Sequence, residues 1–309
     1  MLTRETFTGP WAGLPVAWTD DDRFDEPTYR ADVARSCEAG VPGVYTGGTT
    51  GEFYAMEFDE FRAVARATVE EARGNGTPVM IGCSSTYTLG AMRRAQYAAE
   101  IGADAIQLAL PYWMEIGPDD IVPFFEEVAR ASGGLPLSVY ETTRAKRTLS
   151  IEQHRAIKDA VPNYLMVKAN AGTVGCTPEG CRALSEFVNV FVGENKFGEL
   201  GRLGAKGSCS SMVYWNPRVI LGLWRQVDEQ DWASVEATCE RLNELLEYLH
   251  AEFGPRGFTD TAFDRLGGVA GKFLKTSLGS RGPYPSVTPN DVETLRRWYR
   301  DHFPEMLRL

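Results

Sequence analysis

Short apolar runs alternate with amphipathic segments along the first two thirds of the chain. The runs have the length and composition of buried strands, and the segments between them have apolar residues at helical spacing. The predicted strands are Gly13–Trp18, Gly43–Thr46, Pro78–Cys83, Ala105–Leu110, Leu135–Tyr140, the run from Tyr164 to Lys168, Val188–Gly193 and Gly207–Met212. The predicted helices between them are Pro27–Gly40, Phe58–Arg73, Leu89–Ile101, Asp119–Ala131, Ser150–Ala160 and Phe197–Leu203.

Eight strands, each followed by helical sequence, predict an α/β fold with a parallel sheet covered by helices. Eight such units favour a closed (β/α)8 TIM barrel over an open doubly wound sheet. A doubly wound dinucleotide-binding fold would carry G-x-G-x-x-G after its first strand, and Gly13-Leu14-Pro15 offers nothing of the kind.

Beyond Asn216 the pattern is helical throughout. The predicted helices there are Pro217–Asp228, Trp232–Phe253, Thr261–Leu278 and Asn290–His302. We therefore predict a barrel over residues 1–228 and a C-terminal helical extension over residues 229–309, packed on the barrel because no glycine- or serine-rich linker separates them.

Charge narrows the choice of partners. The 309 residues carry a formal net charge of −10, which argues against nucleic acid or an anionic membrane as a partner. The first residues contain no apolar run preceded by basic residues, and no segment has the apolar length of a membrane span. We therefore expect a cytoplasmic protein with a small-molecule substrate.

The six cysteines and three histidines are scattered, and no C-x-x-C pair occurs. Because this spacing does not suit zinc, we expect no metal, and no other cofactor is indicated. Reduced thiols are expected instead. Cys209 lies in the predicted eighth strand and is a candidate for lining a pocket.

Lys168 ends the predicted sixth strand, where a mostly apolar strand does not normally place an ammonium group. Burial disfavours the charged form of a lysine and lowers its pKa, which makes the free amine available as a nucleophile. A lysine of this kind can form a Schiff base with a carbonyl substrate. The alternative is a lysine that extends to solvent or pairs with a carboxylate.

Further polar and aromatic residues follow the predicted strands. Catalytic groups of an α/β barrel project from the carboxyl ends of its strands. The residues at these positions are Thr49 and Thr50 after the second strand, Tyr112 and Trp113 after the fourth, Tyr140 at the end of the fifth, Glu194 and Asn195 after the seventh, and Ser208–Ser211 in the eighth. Together with Lys168 they predict a site at this rim.

The order of these motifs resembles the dihydrodipicolinate synthase and N-acetylneuraminate lyase superfamily of class I aldolases. The resemblance covers nearly the whole chain. It rests on Gly48-Thr49-Thr50-Gly51-Glu52, on Tyr140, and on Lys168 at the family spacing of 28 positions after Tyr140. Gly193 and Asn216-Pro217 also fit.

The resemblance implies a role for each motif. Lys168 would attack the C2 carbonyl of a 2-oxo acid to give an iminium. Gly48, Thr49 and Thr50 would bind the substrate carboxylate through hydroxyl and backbone N–H groups. Tyr140 would relay protons. We therefore predict Lys168, Tyr140 and Thr50 as catalytic residues.

Several positions depart from the synthases of this family. These usually carry an arginine five residues after the strand-five tyrosine, where this chain has Ala145. They also have a tyrosine pair after strand four, whereas here the pair is Tyr112-Trp113, and tryptophan cannot pass on a hydroxyl proton. Glu141 stands where a neutral side chain is typical. The acceptor side of the pocket is therefore expected to differ.

These residues together predict a Schiff-base-forming lyase acting on a 2-oxo acid, either a pyruvate-type aldolase or a 2-oxo-3-deoxy sugar acid dehydratase. Dihydrodipicolinate synthase, a deaminase of a cyclic imine acid and a catalytically silent ligand-binding barrel remain alternatives. The resemblance also implies a homotetramer built as a dimer of dimers. The predicted substrate-binding residues are Gly48, Thr49, Thr50, Tyr112, Glu141, Arg144, Gly193, Glu194, Asn195 and Cys209. The cations of Arg144, Lys146 and Arg147 are candidates for binding the distal end of the substrate.

Overall fold

Eight parallel strands close into a barrel in chain order in the computed structural model, which describes residues 2–309. Eight helices accompany the strands in this range, so the predicted (β/α)8 fold is confirmed. The strands are β1 (Gly9–Gly13), β2 (Val44–Thr46), β3 (Val79–Gly82), β4 (Ala105–Leu108), β5 (Leu137–Glu141), β6 (Tyr164–Ala169), β7 (Asn189–Phe191) and β8 (Ala205–Ser210).

Several helices begin where the sequence supplies a capping side chain. At the start of α5, for example, Ser150 and Gln153 form a capping box that satisfies free backbone N–H groups. The barrel helices are α1 (Glu26–Glu38), α2 (Phe58–Gly74), α3 (Thr88–Glu100), α4 (Ile121–Ala131), α5 (Ile151–Ala160), α6 (Pro178–Ser185), α7 (Phe197–Leu200) and α8 (Pro217–Asp228). Three more follow: α9 (Trp232–Phe253), α10 (Asp260–Ala270) and α11 (Pro289–His302).

The predicted first strand is displaced from the observed one. The apolar run that predicts Gly13–Trp18 follows β1 and is itself buried, including Leu14, Val16 and Ala17. Because strand and following loop are both buried, hydrophobicity alone cannot separate them.

Two helices also differ from the pattern. The predicted helix Thr261–Leu278 ends at Ala270, because Lys272 has a left-handed backbone with φ of 66° and its N–H donates back to the Val269 carbonyl at 3.1 Å, which closes a helix cap. The short helix α6 was not predicted from the sequence pattern. Gly180 and other small residues weaken the helical periodicity of this stretch.

Two compact units can be distinguished in the fold. One contains the residues up to Gly9 together with Pro78–Cys209, and the other contains Pro10–Thr77 with Ser210–Leu309. The division into a barrel up to residue 228 and a C-terminal extension stays a prediction. The helices after that residue are joined to the N-terminal segment, for example by Arg265 Nη2, which donates to the Val16 carbonyl at 2.6 Å.

No helix within residues 2–309 combines the length and the apolar character that crossing a bilayer requires.

Candidate active site

Lys168 and Tyr140 face each other on neighbouring strands. They are register partners in the β5–β6 ladder, and Lys168 Nζ lies 4.0 Å from the centroid of the Tyr140 ring. The lysine is half-buried and the tyrosine is buried. Asn170, just beyond β6, donates its amide N–H to the Tyr140 hydroxyl at 3.3 Å. The structure therefore brings two of the predicted catalytic residues together and gives the tyrosine hydroxyl a defined orientation.

A polar layer precedes these two residues in the strands. Ser138 and Met166 stand two positions earlier in β5 and β6 and are also register partners. Gln107 Nε2 donates to Ser138 Oγ at 3.1 Å and lies 3.6 Å from Cys209 Sγ. Because strand side chains alternate between two faces, this layer shares the face of Lys168. Cys209 is thereby placed beside Gln107, in the layer before the lysine.

Glu141 faces away from Lys168. Its carboxylate accepts the Leu149 N–H at 2.8 Å and contacts His154 Nε2 at 3.2 Å, and His154 Nδ1 lies 2.8 Å from the Tyr164 hydroxyl. Burial, with a smaller contribution from the Glu141 charge, raises the pKa of Tyr164 well above its ordinary value. This geometry argues against the predicted substrate contact of Glu141, which instead fixes the loop between β5 and α5.

Two of the three candidate cations hold the loop after β4. The Lys146 ammonium donates to the Trp113 carbonyl and lies 5.7 Å from the centroid of the indole ring. Arg147 donates to the Ile116 carbonyl at 3.0 Å and to the Glu115 carboxylate at 2.6 Å. In the structure Lys146 and Arg147 therefore join one loop to another, which leaves Arg144 as the remaining candidate for the distal end of the substrate.

Arg144 begins the same segment, where its backbone N–H donates to Thr142 Oγ1 at 3.3 Å, and its side chain is exposed. Tyr112 is half-buried beside the exposed Trp113. Ala145, at the position of the family arginine, is buried.

After β7 the chain makes a tight turn that contains three predicted site residues. The Lys196 N–H donates to the Gly193 carbonyl at 2.8 Å and closes the turn. A Cβ atom on Gly193 would lie 2.9 Å from Asn195 Oδ1, so a larger residue there would displace the amide. Glu194 is buried. The turn therefore keeps Gly193, Glu194 and Asn195 together as a group.

The second compact unit contains the glycine-rich turn after β2. The Glu52 N–H donates to the Thr49 carbonyl at 3.0 Å, and Glu52 itself has a left-handed backbone with φ of 51°. A Cβ atom on Gly51 would lie 3.0 Å from the Gly47 nitrogen, so the turn is tight enough to favour glycine at this position. Gly48, Thr49 and Thr50 lie within this turn, where backbone N–H groups are suited to an anion.

Helix α10 holds this turn through three residues of one face. Thr261 Oγ1 donates to the Thr49 carbonyl at 3.0 Å, and Thr50 Oγ1 donates to Asp264 Oδ2 at 2.6 Å. Arg265 makes a fully buried ion pair of 2.6 Å with Glu52. The predicted substrate-binding turn therefore depends on the C-terminal extension.

Asp264 and Arg265 are functional candidates that the sequence motifs do not include. Their signal is the spacing of Thr261, Asp264 and Arg265, which at i, i+3 and i+4 share one helix face within an otherwise apolar segment. Within residues 2–309 no group of three or more His, Cys, Asp or Glu side chains is placed to hold a metal ion.

Residues 6–281 match the family model described as the dihydrodipicolinate synthetase family. The chain belongs to the dihydrodipicolinate synthetase family. This membership confirms the resemblance seen in the sequence, and with it a lyase of the class I aldolase type.

Two curated relatives illustrate the range of this family. The 4-hydroxy-tetrahydrodipicolinate synthase of Halorhodospira halophila is 31% identical over 237 residues, which is 76% of this chain and 78% of the relative. The probable 5-dehydro-4-deoxyglucarate dehydratase 1 of Streptomyces coelicolor is 37% identical over 138 residues, 45% of this chain and 43% of the relative. The dihydrodipicolinate synthetase family therefore includes sequence relatives of this chain with different named reactions.

Among solved structures, the prophage protein YagE of E. coli K12 in complex with pyruvate has a TM-score of 0.85, with 20% identity over 96% of this chain and 98% of that chain. At this identity the likeness shows the fold alone. YagE is named a putative 2-dehydro-3-deoxy-D-gluconate aldolase.

Proposed function

We propose that this lyase forms its Schiff base through Lys168 and acts on a 2-oxo acid, as an aldolase or as a dehydratase of a 2-oxo-3-deoxy sugar acid. The observation that carries the proposal is the pairing of Lys168 with Tyr140, with 4.0 Å between the lysine Nζ and the tyrosine ring centroid. An amine over the ring of a buried tyrosine, at the carboxyl ends of barrel strands, supports this proposal because imine formation needs an amine nucleophile and a group that transfers protons.

The reaction begins when the free amine of Lys168 attacks the C2 carbonyl to form a carbinolamine. Proton transfer through the Tyr140 hydroxyl then allows water to leave, which gives the iminium. The iminium draws electrons from the adjacent bonds, so C3 can lose a proton and form an enamine. The Asn170 amide supports this step by holding the Tyr140 hydroxyl in place.

The carboxylate of the 2-oxo acid is assigned to the turn after β2. The backbone N–H groups of Gly48, Thr49 and Thr50 offer hydrogen bonds to an anion without requiring a basic side chain. The turn is held by α10 and by the Glu52–Arg265 pair, so its donors are fixed before the substrate binds.

The step after iminium formation separates the candidate reactions. A dehydratase expels the C4 hydroxyl from the enamine as water, whereas an aldolase breaks the C3–C4 bond to release pyruvate and an aldehyde. Relatives named as a dehydratase and as an aldolase support these two reactions. The synthase remains a second candidate because a relative of that name is 31% identical. It is disfavoured here by Ala145, which cannot bind the carboxylate of a second substrate.

The decisive test is reduction by borohydride in the presence of pyruvate, followed by mass spectrometry of the peptides. We expect a reduced pyruvyl group on Lys168 and none in Lys168→Ala. Lys146→Ala is the matched control and should keep the adduct, because Lys146 contacts the loop after β4. Labelling at Lys146 or Lys196 would contradict the assignment of Lys168. No labelling in the native enzyme would contradict Schiff-base chemistry and favour a silent ligand-binding barrel.

A panel of 2-oxo acids then distinguishes the reactions by product mass. Loss of one water identifies a dehydratase, and release of pyruvate identifies an aldolase. Efficient condensation of pyruvate with aspartate semialdehyde would establish the synthase instead.

Arg144→Ala, compared with Arg155→Ala on the surface of α5, tests whether Arg144 binds the distal end of the substrate. A fall in turnover of about 30-fold or more, with the pyruvate adduct retained, is the expected result.

We also propose a homotetramer in the cytoplasm. Trp113 and Met114 are each 73% exposed, and adjoining exposed apolar side chains of this size are typical of surfaces that meet another protein copy. The six cysteines are thiols in the structure, which suits a reducing compartment. Light scattering of the purified protein should give four times the mass of one 34.2 kDa chain, and a monomer would contradict this assignment.

A further inference from the structure

We propose that Asp264 is a positioning residue that fixes the direction of the Thr50 hydroxyl proton, so that Thr50 acts as a hydrogen-bond acceptor toward proton-bearing groups formed during imine chemistry. The inference rests on the proposed function of the turn after β2. It adds a residue outside the motifs and changes the role of a residue within them.

The geometry of the contact carries this proposal. Thr50 Oγ1 donates to Asp264 Oδ2 at 2.6 Å. The exposed fractions of the two residues are 8% and 5%, so little water competes for either group. A hydrogen bond from a hydroxyl to a carboxylate is shorter and stronger than one between neutral groups. The 2.6 Å between Thr50 Oγ1 and Asp264 Oδ2 is typical of a hydroxyl–carboxylate hydrogen bond.

A threonine hydroxyl carries one proton and two acceptor lone pairs. When its proton is directed to Asp264, the Thr50 oxygen can offer only lone pairs to the substrate. It then cannot donate to the substrate carboxylate, which leaves that task to the backbone N–H groups of the turn. The Thr50 oxygen is available instead to accept a hydrogen from a proton-bearing group formed during imine chemistry.

The rest of α10 holds the turn independently of Asp264. Thr261 donates to the Thr49 carbonyl at 3.0 Å, and Arg265 pairs with Glu52 at 2.6 Å. Removal of the Asp264 carboxylate therefore leaves two other attachments between α10 and the turn. This separation allows the direction of one proton to be tested without loss of the whole turn.

Pyruvate alone is a sufficient probe. The iminium loses a C3 proton to give the enamine, which takes a deuteron from D2O on its return, so NMR of the pyruvate methyl group measures the partial reaction. We expect Asp264→Ala to lower the maximal exchange rate about 10- to 100-fold, at or below the worth of a positioned proton-transfer group. The apparent KM for pyruvate should stay the same or fall, because the released Thr50 hydroxyl can then donate to the carboxylate.

Three further variants make the test specific. Thr50→Ser should keep most of the rate because it keeps the hydroxyl. In a Thr50→Val background, Asp264→Ala should change the rate by no more than about twofold, since no hydroxyl remains to be directed. Asp264→Asn, which keeps a hydrogen-bonding side chain, should give an intermediate rate and provides a readout if the alanine variant does not fold.

Asp291→Asn is the matched control. Asp291 is also 5% exposed, accepts a threonine hydroxyl at 2.7 Å from Thr288, and caps α11. Its substitution should lower the melting temperature and leave the exchange rate unchanged.

The inference is overturned if Asp264→Ala exchanges at the native rate, if it loses the same factor in the Thr50→Val background, or if only KM rises. Failure of the proposed function looks different, because the native enzyme would then give neither a trapped adduct at Lys168 nor exchange of pyruvate.

Discussion

Tyr140 and Glu141 are neighbours in β5 with opposite surroundings. Successive side chains of a strand point to opposite faces, so one lies against Lys168 and the other against α5. The tyrosine is thereby placed for proton transfer, while the carboxylate is occupied by the Leu149 N–H and by His154. Although the two residues are adjacent, Tyr140 faces the proposed site and Glu141 stabilises the structure beside it.

Tyr140→Phe should retain the fold and slow pyruvate exchange by about 10² to 10⁴, the usual worth of a positioned general acid–base group. The matched control is Tyr164→Phe, which removes the hydroxyl partner of His154. That change should lower the free energy of unfolding by about 1–3 kcal/mol with little effect on exchange. NMR exchange and chemical denaturation measure the two effects. A loss of less than tenfold in Tyr140→Phe would show that another group transfers the proton.

Residue types and spacing indicated Lys168, Tyr140 and the Thr49-Thr50 turn as site candidates, because their chemistry is distinctive, and the structure places the first two side by side. The orientation of Glu141 could not be predicted, since the apolar run indicated a strand ending at Tyr140 and the observed strand includes Glu141. Asp264 was not predicted because its partner Thr50 lies 214 positions away. Sequence spacing carries no information on a contact of that range.

At the scale of elements, the loop between β5 and α5 is fixed at one end by Glu141 and is hydrogen-bonded to the loop after β4. Glu141 secures its far end through Leu149, and Lys146 and Arg147 secure the loop after β4. Residues that shape the substrate pocket of a barrel commonly lie on such loops. Because these hydrogen bonds join the two loops, a shift of the β5–α5 loop is expected to move the loop after β4, which contains Tyr112.

Arg147→Ala should loosen the loop after β4, because it removes hydrogen bonds to Ile116 and Glu115. Hydrogen–deuterium exchange of residues 113–116 should accelerate, while the pyruvate adduct at Lys168 still forms. Arg155→Ala, which breaks the exposed pair with Glu186, is the control and should leave this loop unchanged. Unaltered exchange in Arg147→Ala would show that the loop is held by other contacts.

Hydrophobic periodicity located most elements within a few residues. It failed where burial does not follow periodicity, as at β1, whose following loop is as apolar as the strand. It also failed at the end of α10, where the left-handed backbone of Lys272 stops the helix while the apolar pattern continues through Phe273 and Leu274. In both places the boundary was set by something other than hydrophobic periodicity.

At the scale of the molecule, Glu52 connects the N-terminal strands to the C-terminal extension. Its carboxylate accepts the Trp18 indole N–H at 2.6 Å, an Arg265 N–H at 2.6 Å and the Arg281 backbone N–H at 2.9 Å. Three donors around a fully buried carboxylate compensate for its loss of water. The helices after the barrel are therefore part of the support of the β2 turn.

Arg265→Met should lower the free energy of unfolding by about 3–5 kcal/mol, because it leaves the Glu52 charge buried without its ionic partner. Urea denaturation measures the change. Arg300→Met removes an exposed pair with Glu293 and should leave stability nearly unchanged. A small loss in Arg265→Met would mean that the Trp18 and Arg281 donors suffice.

The contacts of Glu52 also impose an order on the maturation of the enzyme. Glu52 leaves the ribosome early, and its partner Arg265 is added 213 positions later. Until the segment with Arg265 and Arg281 has emerged, a nascent chain has the Thr49-Thr50 turn but only Trp18 to hold its glutamate. Contacts across such a separation form late in folding, because a long loop must close first. The contacts that hold the Thr49-Thr50 turn are therefore complete only once the last fifth of the chain has been added.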